Sequence, residues 1–201
     1  SPEDVTDEMR ENGDDDEGAA RWANLSLSLL GHGKLDEARR YIRYADQIGD
    51  SPRTLLAEAV FNLLISNENE PRPTFGPPVP APAMTEDMRR QVADGFRDVM
   101  EAIDRQHWPA ALQSLERIPA AVRRASGPDM SFLTAFILYK AAMASERPDP
   151  RYYREAQRIL QDMVRLEEEY LREHPEVYYF LARCYRLDYS YDRARRFMVS
   201  Y

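Results

Sequence analysis

A chain of 201 residues with a hydrophobic fraction of 43% can bury one continuous core or a short solenoid. Its formal charge of −8 resides in residues 1–20, where nine acids face Arg10 alone, so the remainder is neutral and offers no electrostatic case for nucleic acid. The single cysteine, Cys184, rules out an internal disulfide, and the longest apolar run, Phe132 to Tyr139, is far short of the ~20 residues a membrane helix needs.

The acidic head, taken as residues 1–18, is predicted to be a disordered, solvated leader, with a docking segment for a basic partner as the sharper alternative. Residues 19–201 are then one helical domain. From Trp22, apolar residues Leu25, Leu29 and Leu30 recur at spacings of three and four, which predicts the inner face of a first helix. Gly31-His32-Gly33 ends it, because glycine takes the left-handed conformation a helix exit often needs. Asp36 and Glu37 place acids in the first turn of a second helix, whose buried stripe is Ala38, Tyr41, Ile42 and Ala45.

Ser51 and Pro52 open a third helix carrying Leu55, Leu56, Ala59, Val60, Leu63 and Leu64. Residues 67–84 hold six prolines, which forbid helix and favour an extended connector or strap. Thr85 restarts helix, with Met88, Val92, Phe96, Val99, Met100 and Ile103 as its stripe. Trp108-Pro109 begins the next, with Ala111, Leu112 and Leu115 inward. Gly127-Pro128-Asp129 opens a further helix through Ala142, and a single long helix is expected from Arg151 to about Glu173. Helix resumes after Pro175, giving about nine helices and no strand.

The stretch Trp22 to Pro52 resembles the tetratricopeptide repeat, a helix-turn-helix unit of about 34 residues. Trp22 stands at the family's opening aromatic position, Leu25 at its leucine, Gly33 at its turn glycine, and Ala38 and Ala45 at its two small positions. A second copy, residues 174–201, is in the same register: Tyr178 falls on Trp22, Leu181 on Leu25, Tyr185 on Leu29 and Ala194 on Ala38. Trp108 to Leu112 looks like the turn of a third, degenerate unit. The resemblance implies an all-α, right-handed superhelical solenoid of antiparallel helix pairs with a proline-rich insert. Because the chain stops within the last repeat's second helix, further chain or a partner is expected on that face, a second copy among the candidates.

No catalytic motif stands out. His32, His107 and His174 lie at helix junctions without the spacing that puts two metal ligands on one helical face, so no metal site and no cofactor are expected. Cys184 reads as a packed thiol, and Glu167-Glu168-Glu169 as a solvated run. What the family resemblance implies is binding: first helices of successive repeats line a concave groove, and carried onto this chain that face includes Leu27 and Leu30 in the first repeat and Tyr179, Arg183 and Arg186 in the last. Arginines three apart beside a tyrosine suit a carboxylate-bearing peptide or helix. The expectation is therefore a non-enzymatic adaptor or scaffold for another protein's segment, cytoplasmic, with no nucleic acid and no membrane insertion. The alternative is a regulatory or oligomerising module of a larger enzyme, or of an envelope assembly machine in the bacterial periplasm.

Overall fold

The computed structural model describes residues 15–49, 51–66, 70–77 and 84–201. Residues 1–14 of the expected 1–18 leader, and prolines 78, 80 and 82 of the insert, lie outside the described residues, whereas Asp15–Gly18, expected as leader, are helical. Within them the chain is all-helical, with eleven helices and no strand. It divides into two compact units, one made of residues up to Pro71 together with Asp188–Ser200, the other of Arg72–Leu187 with Tyr201.

The first unit contains α1 (Asp15–Gly31), α2 (Leu35–Ile48), α3 (Pro52–Ile65) and α11 (Tyr191–Ser200). Helix α1 packs against all three of the others. The turn between α1 and α2 closes with Lys34 N–H donating to Leu29 O at 3.0 Å, and Gly33 sits at φ +73°. A Cβ on Gly33 would also stand 2.7 Å from the Tyr191 ring, so both the backbone angle and the close approach require glycine there. Helix α2 follows most of its sequence pattern: Ala38, Ile42 and Ala45 are buried and Tyr41 is half-buried. Ser51 caps α3 as expected, its hydroxyl accepting from Thr54 N–H at 3.1 Å with Pro52 in the first turn.

Two expected faces in this unit are rotated. In α1 the buried side chains are Ala19, Ala23, Ser26, Leu27 and Leu30, while Leu25 is 39% exposed. In α3 they are Thr54, Ala57, Val60, Phe61 and Leu64, while Leu55 is 57% exposed. The reason is the same for both. Each helix packs against the others of the unit, α11 included, and the small side chains Ala19, Ala23 and Ala57 allow the backbone approach that those neighbours require.

The second unit runs through α4 (Glu86–Asp104), α5 (Trp108–Arg117), α6 (Ala120–Ala125), α7 (Gly127–Met143), α8 (Pro150–Leu166), α9 (Glu168–Glu173) and α10 (Glu176–Leu187). Thr85 caps α4 by accepting from Met88 N–H at 3.3 Å. Helices α4 and α5 pack so closely that a Cβ on Gly95 would lie 2.6 Å from Ile118 Cγ1. The single long helix expected after Arg151 is two: Glu167, at φ −120° and ψ 52°, breaks it into α8 and α9. Helix α6 carries no apolar stripe long enough to be read from sequence. At the centre lies α7, buried at eleven positions and packed against α5, α6, α8 and α10.

Helices adjacent in sequence pack as pairs at α1/α2, α4/α5 and α7/α8. Helices α10 and α11, expected as another pair, belong to different units.

Candidate functional site: a groove floored by α7

Helix α7 is apolar nearly all round, yet one stripe, continued into its C-cap Ala144, holds Ser131, Thr134, Leu138 and Ala141, small or polar apart from Leu138, at spacings of three and four. Along this stripe the second unit is indented. A cavity of about 380 Å³ lies over Ser131, Thr134 and Leu138, walled by Leu112 and Leu115 of α5 and by Ile159 of α8. A second cavity, about 550 Å³, lies over Ala141 and Ala144, between Ala110 of α5 and Tyr152 of α8. Leu112 and Glu116 line both, so the two cavities are neighbours along α7. From Ser131 to Ala144 the floor is about 20 Å long at 1.5 Å per helical residue.

The small floor residues make the groove, because larger side chains would fill the space between α5 and α8. The hydroxyls on the floor are engaged by their own helix: Thr134 Oγ1 donates to Met130 O at 2.7 Å and Ser131 Oγ to Gly127 O at 3.4 Å. They present methyl and methylene surface rather than an activated nucleophile. The rim is charged. Arg158 forks onto Glu155, Nη2 to Oε1 at 2.6 Å and Nε to Oε2 at 3.0 Å, and these hydrogen bonds hold the Glu155 carboxyl below the usual carboxylate range. On the opposite rim Arg123 Nε donates to Ile118 O at 3.0 Å. Glu116, midway along, is exposed and forms no ion pair or hydrogen bond among the described residues. An apolar floor, a polar rim and one unpaired carboxylate suit recognition of a chain segment.

The five residues expected to contact a partner are not brought together on an open surface. Leu27 is 6% exposed and Leu30 wholly buried, both among the helices of the first unit. In the second unit Tyr179 is wholly buried and Arg183 is 2% exposed, its Nε donating to Tyr139 OH at 3.4 Å. Arg186 is half-buried. A partner reaches the first four only if the helices around them separate. The residues that shape the groove went unnoticed in the sequence, although the polar stripe through an otherwise apolar α7 was a usable signal.

Cys184 is buried, and burial pushes its thiol up, as suits a packed side chain. Of the histidines, His32 Nδ1 lies 2.8 Å from Ser28 O at the end of α1. His174 stacks on Tyr170 with ring centres 4.2 Å apart, its Nδ1 lying 3.2 Å from Glu176 Oε1. Among the described residues no group of three or more His, Cys, Asp or Glu could hold a metal ion. Among them too, no helix is long and apolar enough to cross a membrane. No protein-family model, no curated protein and no solved structure matches the chain.

Proposed function

We propose that this chain is a protein-interaction adaptor that holds a segment of another protein in the α7 groove, within a helical-repeat architecture of the tetratricopeptide kind. The observation that carries the reading is the pair of neighbouring cavities along α7, with an apolar floor between charged rims. A floor about 20 Å long accommodates a partner helix of about 13 residues, or an extended segment of about six. Anchoring apolar side chains would enter over Leu112 and Leu138, and a basic side chain would meet Glu116. This differs from the groove implied by the repeat resemblance, whose residues are turned inward.

The test is affinity capture from native lysate with the full chain, beside Ala144→Trp, which fills the groove, and Glu116→Arg, which reverses its central charge. Both positions are exposed, so both variants are expected to keep the wild-type thermal melt. A protein retained by the wild type and lost by both variants is the expected result. Equal retention by all three chains would remove the groove from the reading. Charge reversal at Arg183 cannot serve, because burying a carboxylate there would unfold the unit.

A further inference from the structure

The face of α7 opposite the groove carries Phe132, Phe136 and Tyr139, at spacings of four and three. Phe132 and Phe136 belong to an aromatic cluster: Phe180 of α10 lies 6.0 Å from Phe132 and 5.2 Å from Phe136, and Trp108 meets Phe136 edge-on at 5.7 Å. The outermost ring of the cluster comes from no helix. Phe75, in the proline-rich segment Arg72–Pro77, places its ring centre 5.5 Å from Phe132 and 5.6 Å from Phe136.

That segment is attached in an unusual way. Among the described residues, none from Arg72 to Pro77 forms a hydrogen bond or ion pair, with backbone or side chain. Its ring contacts with α7 come from the Phe75 phenyl, which stays partly exposed. A Cβ at the neighbouring Gly76 would meet nothing within 4 Å. Proline-rich segments dock readily on aromatic-lined sites, because their restricted backbone loses little chain entropy on binding.

We propose that the Phe132–Phe136 face is a receptor site for an aromatic side chain on an extended, proline-flanked peptide, that Phe75 occupies it in cis, and that a partner protein's segment of this chemistry competes with Phe75. The internal segment acts as a tethered competitor, so an incoming peptide must overcome its effective concentration. This site is independent of the α7 groove, since the two lie on opposite stripes of the helix.

The experiment uses the full chain in a Trp22→Phe background, leaving Trp108, beside Phe136, as the one fluorescent indole. The probe is a synthetic peptide of residues 70–77, EPRPTFGP, with an otherwise identical peptide bearing alanine in place of phenylalanine as control. Phe75→Ala is expected to bind the phenylalanine peptide with a change in Trp108 emission and in calorimetric heat. The chain with Phe75 intact should bind it about tenfold more weakly or worse, and the alanine peptide should bind neither. Phe75→Leu, which keeps apolar bulk without the ring, should bind with intermediate strength and serves if Phe75→Ala loses its helical melt. Failure of both variants to bind, or equal binding of the two peptides, overturns the proposal. So would a wild-type dimer that Phe75→Ala converts to monomer, because Phe75 would then pair between copies.

Discussion

Helices α1 and α7 are each the centre of their unit, and they are built on opposite plans. Helix α7 is buried at eleven positions, seven of them Met, Phe, Leu, Ile or Tyr, so neighbours on most sides find apolar surface. Helix α1 buries a narrow stripe dominated by Ala19, Ala23 and Ser26 and exposes Leu25. A helix that is apolar all round announces its central place from sequence alone. One that is central through small residues does not, because close approach of backbones leaves no trace in a hydrophobicity pattern.

This contrast can be broken by substitution, beginning with the aromatic core beside α7. Phe180 is wholly buried against Phe132, Phe136 and Tyr139, so Phe180→Ala should cost about 3–5 kcal/mol in chemical denaturation of the second unit. A loss below 1 kcal/mol would mean the cluster repacks freely. Around α1 the expectation reverses the usual order of residue sizes. Ala23→Leu should destabilise by about 1–3 kcal/mol through overpacking, whereas Leu25→Ala should change stability by no more than about 0.5 kcal/mol. If Leu25→Ala proves the costlier of the two, the buried face of α1 has been assigned to the wrong side.

A smaller effect is expected from pH. Burial pushes the Cys184 thiol up, and burial together with donation to Asp129 Oδ1 at 2.9 Å pushes up the Tyr170 phenol. Both groups are held protonated by the folded state, so their contribution is complete below the ordinary thiol and phenol pKa values, about 8.5 and 10. It is lost as pH rises beyond them. Denaturation midpoints should therefore fall from about pH 8.5 upward in the wild type, and Cys184→Ala should stay level until about pH 10. Identical alkaline profiles for the two chains would separate Cys184 from the effect. The smallest change is expected at Glu155, whose lowered carboxyl stabilises above the ordinary carboxylate pKa and ceases to as pH falls through its folded value. The pair is largely solvated, so Glu155→Gln should leave neutral-pH stability within about 0.5 kcal/mol of wild type.

Where local chemistry decides structure, the sequence was a sufficient guide. Ser51, Thr85 and the glycine turn at Gly33 act through neighbours three or four residues away, and α2, α3 and α4 begin where those residues place them. The break at Glu167 and the short α6 carry no such signal. The rotated faces of α1 and α3 depend on α11, which lies far along the chain. Burial of Tyr179 and Arg183 has a comparable origin: α10 packs against α8 and α7 at once, so its second face is covered as well. The groove was missed because its defining residues are small, and absence of bulk on α7 acquires meaning only once α5 and α8 stand on either side.

Division of the chain into units also has a temporal side. Residues 72–187 are contiguous, so the second unit can form as soon as its own stretch has left the ribosome. The first unit cannot: α1, α2 and α3 are synthesised before it, but the helix that completes their packing is α11, at residues 191–200. Helices α1–α3 thus precede the second unit in the chain but are completed only after it. Until then α1 and α3 lack one of their packing partners, which leaves apolar surface on them open to non-native association.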